Sequence, residues 1–337
     1  MKTALLTGIR GQDATYLSKL LLTKGYRVIG TDRRAGGSTY WRIADLDVKG
    51  VELVYMDLLE QENINAVIRK YKPDELYNLA AQSFVSVAFE QPLLTTEINA
   101  IGVLRLLTAI REYSPYTKFY QASTSEMFGK VQEIPQNEKT PFYPRSPYGV
   151  SKLYGHWIAI NYRESYRMFN SCGILFNHES PLRGAEFITR KISAGLAAII
   201  AKKQESITVG NINAKRDWGH AADFVDAMWR MLQQEKPDDF VIATGETHSV
   251  KEFIEIAFSM MESNITWEGE GVDEIGRDPN GIIRVKISAE FYRPAEVELL
   301  IGNASKAKHI LGWTPKIKFT ELVQEMVKAD IDRIKGE

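Results

Sequence analysis

Cysteine is almost absent from this sequence, which has a single one, Cys172, in 337 residues. One thiol excludes a disulfide within the chain and with it the class of small secreted domains held together by disulfides. Because Cys172 lies in an apolar run, we expect a buried free thiol on a strand. This cysteine usage is typical of a reducing compartment, so we expect the protein in the cytoplasm.

An excess of charge of one sign is also missing, since 42 Lys and Arg residues face 43 Asp and Glu residues for a net charge of −1. Without a broad basic face, we expect neither nucleic acid nor an anionic membrane as a partner. We recognise no apolar stretch of membrane-spanning length, no leader sequence and no metal-binding motif. The 44% hydrophobic and 25% charged residues are instead typical of a soluble globular protein with one large or two modest domains.

What is present begins with a Gly-rich turn between a strand-like run, residues 2–7, and a helical pattern. The turn has the spacing G-x-x-G-x-x-A, with Gly8, Gly11 and Ala14. Glycines at these positions let a backbone approach a pyrophosphate, and the N-terminus of the following helix stabilises its charge. The turn therefore predicts a dinucleotide site, with an ordinary strand-to-helix turn as the alternative.

The end of the second predicted strand, residues 26–31, gives conflicting evidence on which dinucleotide binds. Asp32 is the type of residue that accepts hydrogen bonds from the adenosine ribose of NAD. Arg10, Arg33 and Arg34 are cations that suit the additional phosphate of NADP. We therefore favour NADP as the cofactor, and Asp32 leaves NAD open.

Strands continue to alternate with helices along the first half of the chain. Residues 51–55 and 73–80 are further strand signals, a helix is predicted over 98–113, and another strand ends at Ala122. This order predicts an α/β fold with a doubly wound parallel sheet of the Rossmann type. We assign residues 1–175 and part of 212–245 to the dinucleotide domain, and 176–337 mainly to a smaller mixed α/β substrate domain.

A candidate catalytic group follows that strand. Tyr148 and Lys152 are four residues apart, so on a helix they lie on one face, one turn apart. A nearby ammonium favours the phenolate, which would make Tyr148 a general base. Thr124 and Glu126 sit at the carboxyl end of the strand, where ligands bind in open α/β sheets. Taken alone, the Tyr-Lys spacing is weak evidence, and Glu126 could equally cap a helix or be a solvated loop residue.

Two further features concern partners. The helix predicted from Gly149 to Phe169 is apolar on more than one face, which favours a homo-oligomer interface over burial within one subunit. Beyond residue 170, cations are spread over turn-rich loops that would grip a diphosphate and sugar hydroxyls. Those cations are Arg183, Arg190, Lys191, Lys215, Arg216 and Arg293.

These motifs resemble those of the extended short-chain dehydrogenase/reductase family and, within it, those of the GDP-mannose 4,6-dehydratases. The resemblance covers almost the whole chain and rests on seven segments: 79–83, 123–129, 143–148, 175–183, 215–218, 293–296 and 311–315. Ala14 departs from the pattern by replacing the third glycine, and Asp32 stands where the family often has a base. The dTDP-glucose dehydratases are similar too, but they usually have Asp-Glu where this chain has Ser125-Glu126.

The resemblance and the residue patterns together give the predicted site. The predicted catalytic residues are Thr124, Glu126, Tyr148 and Lys152. The predicted cofactor contacts are Gly8, Arg10, Gly11, Gln12, Asp13, Asp32, Arg33, Arg34, Asp57, Leu58, Leu79, Ala80, Ala81, Gln82, Ser83, Tyr148, Lys152, His178 and Arg183. The predicted substrate contacts are Ser83, Thr124, Ser125, Glu126, Asn177, Lys191, Arg216, Arg293 and Glu296.

The resemblance implies that GDP-mannose loses water to give a 4-keto-6-deoxy sugar, with a hydride passed from C4 through the nicotinamide to C6. Glu126 discriminates between reactions, because a dehydrogenase or epimerase on this scaffold needs no additional carboxylate two residues after Thr124. Three alternatives stay open: a related GDP-sugar such as GDP-manno-heptose, a 4-reductase or epimerase, and a non-enzymatic binding protein. The resemblance also suggests a dimer or tetramer, with the loop 33–37 reaching a neighbour.

Overall fold

A parallel sheet dominates the computed structural model, which describes residues 1–34, 40–291 and 299–336. Within these residues, seven strands pair in the order β11-β6-β5-β4-β1-β2-β3, and every pair is parallel. The first eleven strands in chain order, of which β7 to β10 lie outside this sheet, are β1 Thr3–Thr7, β2 Arg27–Asp32, β3 Val51–Tyr55, β4 Glu75–Asn78, β5 Lys118–Thr124, β6 Asn170–Leu175, β7 Asn177–Glu179, β8 Ile207–Val209, β9 Lys215–Arg216, β10 Trp218–His220 and β11 Phe240–Ile242. The predicted doubly wound sheet is confirmed.

Helices cover both faces of this sheet because several of them present an apolar side to it. The helices are α1 Gln12–Thr23, α2 Trp41–Asp45, α3 Gln61–Tyr71, α4 Val85–Glu90, α5 Pro92–Thr96, α6 Gly102–Tyr113, α7 Pro147–Tyr166, α8 Ile188–Ile200, α9 Ala221–Leu232, α10 Val250–Ser259 and α11 Phe319–Gly336. Leu17 of α1 and Met228 of α9 belong to the core on one face. Ile64 of α3, Leu107 of α6 and Ala159 of α7 belong to the core on the other face.

The expectation that the sequence contains no apolar stretch of membrane-spanning length is wrong. The helical stretch Pro92–Tyr113 is, by length and composition, long and apolar enough to cross a membrane. It includes a π-helical segment, Glu97–Ile101, between α5 and α6. Half of the stretch is buried, and Val103 and Leu106 are fully packed against the sheet. A core helix has the same composition, so the stretch is weak evidence for a membrane span.

A smaller mixed sheet lies in the second half of the chain. It has the order β13-β14-β15-β8, with β13 Thr266–Glu268, β14 Ile275–Arg277 and β15 Ile283–Ile287. Helices α8, α10 and α11 pack with it around Leu196, Phe253 and Val323. Two short pairs, β7 with β10 and β9 with β12 His248–Ser249, lie outside both larger sheets. The domain boundaries stay a prediction, although β11, within the range 212–245, pairs with β6 of the main sheet.

Two element boundaries differ from the prediction for reasons that concern the site. Strand β4 ends at Asn78 rather than near residue 80, because the N–H groups of Leu79 and Ala80 both donate to the Thr7 hydroxyl, each at 2.9 Å. Helix α7 begins earlier than expected, since the Ser146 hydroxyl accepts the Gly149 N–H at 3.0 Å as an N-cap.

Candidate active site

A cavity opens at the carboxyl ends of β1, β4, β5 and β6, where a parallel sheet binds its ligands. The Gly-rich turn, the segment after β4, the end of β5, the start of α7 and the chain after β6 all contribute to its wall. The predicted site residues in the wall are Gly8, Gly11, Gln12, Asp13, Leu79, Ala81, Ser83, Thr124, Ser125, Glu126, Tyr148, Lys152, Asn177, His178 and Arg183. The fold therefore brings together residues up to 175 positions apart in sequence, from Gly8 to Arg183.

Other predicted contacts do not belong to this wall. They are Arg10, Asp32, Arg33, Arg34, Asp57, Leu58, Ala80, Gln82, Lys191 and Arg216. Arg293 and Glu296 lie outside the described residues, as does the greater part of the loop 33–37.

The Gly-rich turn fits the diphosphate of a dinucleotide. Gly8 has a φ of +71°, and a Cβ there would lie 2.8 Å from the Ala80 Cα, so the turn requires glycine at this position. The Gly11 N–H closes the turn on the Gly8 carbonyl at 2.9 Å. As the N-cap of α1, Gly11 supplies no side-chain acceptor, which leaves the first N–H groups of the helix for an anion.

Two predicted cofactor residues of opposite charge, Arg10 of the Gly-rich turn and Asp32 at the end of β2, contact each other. Arg10 forms an ion pair with Asp32, and its guanidinium carbon lies 5.2 Å from the centre of the Tyr40 ring. Arg33 and Arg34, which follow β2, are exposed. Asp57 accepts the Leu59 N–H at 3.0 Å and so caps a turn after β3. The charge of Asp32 is thus partly neutralised by Arg10 of the Gly-rich turn.

Tyr148 and Lys152 are both buried at the start of α7, but their ionisation differs from the prediction. The Lys152 ammonium donates to the Ala122 carbonyl at 2.6 Å and lies 6.0 Å from the centre of the Tyr148 ring. Burial raises the pKa of Tyr148 to about 12 and lowers the pKa of Lys152 to about 8. The pKa of Tyr148 in the protein alone therefore shifts in the direction opposite to the prediction, because burial is the largest influence on it.

Thr124 and Glu126 complete this group through the turn that ends β5. Ser125–Met127 form a short 3-10 helix, and the Thr124 hydroxyl caps it by accepting the Glu126 N–H at 3.2 Å. Burial is the main influence on the pKa of Tyr148, while a hydrogen bond with Thr124 lowers it and the charge of Glu126 raises it. A phenol, a hydroxyl and a carboxylate therefore act on one another within one cavity.

A buried ion pair joins the Gly-rich turn to the chain after β6. His178 Nε2 lies 2.8 Å from the Asp13 carboxylate, and Nδ1 lies 2.8 Å from the Phe176 carbonyl. Both partners accept hydrogen bonds only, so both ring nitrogens donate and His178 is an imidazolium. Burial alone would lower the pKa of His178 and raise that of Asp13, but their mutual attraction reverses both shifts.

Arg183 is fixed at the cavity wall by the side chains around it. Its guanidinium pairs with buried Glu179 at 2.9 Å and lies 3.6 Å from the centre of the Phe187 ring. Glu179 also accepts the Thr189 hydroxyl at 2.6 Å. Arg183 therefore presents an oriented positive charge to the cavity.

The other cations of the second half have different surroundings. Arg190 pairs with Asp330 at 2.8 Å and donates to the Pro181 and Arg183 carbonyls, so it supports the loop of Arg183. Lys191 lies 3.4 Å from the centre of the Phe291 ring. Arg216 is buried on β9, next to His248 of β12.

Sequence reasoning assigned no site role to three polar residues beside the cavity, Asn99, Ser123 and His156. Asn99 is buried in the π-helical segment; its side chain accepts the Gln82 N–H and donates to the Gln82 carbonyl, both at 2.9 Å. Ser123 lines the cavity, and its hydroxyl lies 3.0 Å from Nδ1 of buried His156. Burial lowers the pKa of His156 to about 4, so this histidine is neutral. A polar residue with apolar neighbours on both sides was the available signal for Asn99 and for His156.

Comparison with known proteins decides the family. The family model described as GDP-mannose 4,6 dehydratase matches residues 5–326. This chain belongs to that family. A curated GDP-mannose 4,6 dehydratase 2 from Caenorhabditis elegans is 54% identical over 340 residues, covering 98% of this chain and 89% of the relative. The GDP-mannose 4,6 dehydratase of Homo sapiens is 50% identical over 339 residues, covering 98% and 91%.

The resemblance to GDP-mannose 4,6-dehydratases seen in the sequence motifs is thus confirmed. Among solved structures, a Thermus thermophilus UDP-glucose 4-epimerase in complex with NAD is similar, with a TM-score of 0.78 and 25% identity. That match covers 97% of this chain and 98% of the epimerase. Members of the GDP-mannose 4,6-dehydratase family therefore share a scaffold with epimerases, and the reaction type must be argued from the cavity itself.

Proposed function

We propose that this chain is a GDP-mannose 4,6-dehydratase, which converts GDP-mannose to GDP-4-keto-6-deoxymannose and water. The observation that carries the proposal is the position of Glu126, which shares a cavity with Tyr148 and Thr124 and acts electrostatically on the phenol. Family membership and two relatives of that printed name support GDP-mannose as the substrate.

The cofactor is a nicotinamide dinucleotide, consistent with the Gly8 turn and with the NAD complex of the similar epimerase. When bound, it supplies the acceptor for the C4 hydride, returns that hydride to C6, and carries a positive charge while oxidised. Gly8, Gly11 and Asp13 would hold it at the turn, with Ala81 and Ser83 along the segment after β4. Tyr148 and Lys152 would lie at its reactive end.

Tyr148 is the group that takes the proton of the sugar O4. With a pKa of about 12 the phenol is neutral in the protein alone, so it becomes a base only when positive charge approaches it. Thr124 hydrogen-bonds to Tyr148 and thereby orients the phenol. Loss of the O4 proton lets C4 become a ketone.

Glu126 carries out the elimination. A ketone at C4 acidifies the hydrogen on C5, and the Glu126 carboxylate removes that proton. The resulting carboxylic acid then protonates the departing C6 hydroxyl, which leaves as water and restores the carboxylate. One carboxylate therefore serves both halves of the elimination. Return of the hydride to C6 requires one proton at C5, which balances the proton that Tyr148 took from O4, so Tyr148 is regenerated and no second substrate is consumed.

For the cofactor we infer NADP rather than NAD. Arg10, Arg33 and Arg34 supply three positive charges around the end of β2, and Arg10 already neutralises part of the Asp32 charge. Asp32 itself favours the alternative, NAD. Dissociation constants measured for both cofactors by fluorescence quenching decide the question. Tighter binding of NADP by about tenfold or more supports the inference, and tighter binding of NAD overturns it.

Mass spectrometry of the product tests the proposed reaction. Incubation with GDP-mannose and a catalytic amount of oxidised cofactor should give a nucleotide sugar lighter by one water. GDP-manno-heptose in a parallel incubation distinguishes the alternative sugar. Stoichiometric consumption of reduced cofactor would instead indicate a 4-reductase, and cofactor binding without turnover of any sugar nucleotide would indicate a binding protein.

We also propose a homo-oligomer, a dimer or tetramer, in the cytoplasm. Val150 and Trp157 of α7 are 56% and 55% exposed, and Leu93 of neighbouring α5 is 82% exposed. Exposed apolar side chains on adjacent helices favour pairing with a second copy. The buried free thiol of Cys172 supports a reducing compartment.

A further inference from the structure

Three polar side chains form a row across the main sheet, directly beneath the cavity. Thr7 of β1 is in register with Asn78 of β4, and Asn78 is in register with Gln121 of β5. Register partners on neighbouring strands project from the same face of a sheet. All three side chains are at most 2% exposed, and buried Thr31 of β2, in register with Thr7, adjoins them but donates its hydroxyl to the Leu6 carbonyl instead. A buried polar row is costly unless its groups are hydrogen-bonded, so its bonding pattern is informative.

The hydrogen atoms of this row have only one consistent arrangement. The Thr7 hydroxyl oxygen accepts the N–H groups of Leu79 and Ala80, so its own hydrogen is donated to the Asn78 Oδ1 at 2.8 Å. The Asn78 Nδ2 then donates to the Gln121 Oε1 at 2.9 Å. This leaves the Gln121 Nε2 as a donor, and it donates to the Ala122 carbonyl at 3.1 Å.

The row ends at the carbonyl that holds Lys152. The Ala122 oxygen accepts both the Gln121 amide at 3.1 Å and the Lys152 ammonium at 2.6 Å. A carbonyl oxygen has two lone pairs, so the amide occupies one acceptor position and restricts the ammonium to the other. Helix α7 accommodates this amide at Gly155, where an added Cβ would lie 3.4 Å from the Gln121 Nε2.

We propose that Asn78 and Gln121 are positioning residues that orient the Lys152 ammonium by sharing its carbonyl acceptor, and that they couple this ammonium to the Thr7 end of the Gly-rich turn. This proposal rests on the proposed function, because the orientation of Lys152 matters for turnover only if Lys152 takes part in catalysis. Neither amide lines the cavity, so both act through Ala122 and Lys152 rather than on a ligand. Because the Gln121 N–H repels the Lys152 ammonium, the shared Ala122 carbonyl holds that ammonium more weakly than an unshared carbonyl would.

Gln121→Met tests this role by removing the amide while keeping a side chain of similar length. Lys152 would then have the Ala122 carbonyl to itself, and its pKa should rise by about 0.5 to 1 unit. Gln121→Glu places a carboxylate at the same position and should raise the pKa of Lys152 further. NMR titration of protein labelled with ¹³C at lysine Cε measures both, with the Lys152 signal identified by its loss in Lys152→Arg.

Turnover gives the second measurement. In both Gln121 variants kcat for GDP-mannose should fall at least about fivefold while KM stays within about twofold, because the row touches no substrate. Asn170→Leu is the matched control: Asn170 is also a buried amide of the sheet that donates to an α7 carbonyl, that of Ala159, at 3.0 Å. It should lower stability but leave the Lys152 titration and kcat unchanged.

The proposal is overturned if the pKa of Lys152 stays within about 0.2 unit in both Gln121 variants, or if Asn170→Leu shifts it equally. A shifted pKa with unchanged kcat would also contradict a role in positioning for catalysis. If Gln121→Met does not fold, Gln121→Glu supplies the same comparison. Because the titration uses the protein without substrate, its result is independent of whether GDP-mannose is the sugar turned over.

Discussion

Glu126 is the residue on which the type of reaction depends. Tyr148 and Lys152 suit any enzyme of this scaffold that oxidises a sugar hydroxyl, whereas a carboxylate beside them is needed only when water is eliminated. The structure places Glu126 within electrostatic reach of the phenol and gives it a fixed backbone through the Thr124 cap. A single substitution should therefore separate oxidation from elimination.

Glu126→Gln should leave C4 oxidation intact and slow the loss of water by at least about a hundredfold, since the amide cannot remove the C5 proton. Reduced cofactor should then accumulate when GDP-mannose is added, which stopped-flow absorbance records. Glu112→Gln, at the exposed end of α6, is the control and should behave as the unaltered enzyme. Normal water loss in Glu126→Gln would remove this carboxylate from the mechanism.

Residue spacing predicted which of these groups share a cavity but not how they ionise. Four residues on a helix necessarily place Tyr148 and Lys152 on one face, and the structure has them there. Burial is the main influence on both pKa values, and it comes from contacts with segments distant in sequence, such as the Ala122 carbonyl 30 positions before Lys152. No local pattern contains that burial, and this is why the predicted direction of the Tyr148 pKa shift was wrong.

At the scale of elements, the approach of the Gly-rich turn to the segment after β4 is the contact that shapes the cofactor site. Gly8→Ala should destabilise the protein by about 2–4 kcal/mol and weaken cofactor binding at least about tenfold, because the new Cβ meets the Ala80 backbone and the φ is positive. Chemical unfolding and fluorescence titration measure the two effects.

Gly25→Ala is the matched control, since Gly25 also has a positive φ, +78°, but an added Cβ would meet nothing within 4 Å. It should cost only about 1 kcal/mol and leave cofactor binding unchanged. Equal effects of the two substitutions would show that backbone strain alone, rather than the contact with Ala80, makes glycine necessary at position 8.

The Asp13–His178 pair joins α1 to β7 and makes stability depend on pH. Folding raises the pKa of His178 above its ordinary 6.5, so its contribution is complete below that pH and is lost as pH rises through the folded pKa. The contribution of Asp13, whose pKa is lowered from 3.8, is present above that value and is lost as pH falls through its folded pKa. The pair therefore stabilises the fold most at mildly acidic pH.

His178→Asn should cost about 2–3 kcal/mol near pH 6, and the cost should shrink as pH rises through the folded pKa of His178. Thermal unfolding of the variant and the unaltered protein across this pH range measures the difference. His309→Asn, at an exposed position, is the matched control for the loss of an imidazole. A cost for His178→Asn that does not vary with pH would mean that the imidazole is not charged in the folded state.

At the scale of the whole molecule, sequence periodicity predicts the strands of the sheet well. It does not predict the side-chain contacts between strands that are distant in sequence. Strand β3 matches its predicted range, 51–55, and β1 falls within the strand-like run predicted at residues 2–7. The row of Thr7, Asn78 and Gln121 escaped prediction because strands far apart in sequence bring it together. The Arg10–Asp32 ion pair also escaped prediction. In the sequence, Arg10 indicated NADP and Asp32 indicated NAD, and nothing showed that the two side chains contact each other.

Assembly is a property of the whole molecule that the exposed faces of α5 and α7 let us predict. Val150→Glu combined with Trp157→Glu should reduce the mass of the particle toward that of one chain, because a buried apolar interface does not accept unpaired charges. Light scattering with size-exclusion chromatography measures this. Leu53→Glu combined with Tyr55→Glu, at 48% and 64% exposed positions on β3, should leave the mass unchanged. An unaffected mass in the α7 variant would contradict the proposed interface on α7.

The central claim is that one cavity oxidises C4, eliminates water across C5 and C6, and reduces C6 without exchanging its cofactor. GDP-mannose carrying deuterium at C4 tests it most directly, with the product examined by NMR and mass spectrometry. The predicted result is a product that is lighter by one water and carries the deuterium at C6, even when unlabelled reduced cofactor is present in excess. Deuterium found on released cofactor, or absent from C6, would contradict the claim.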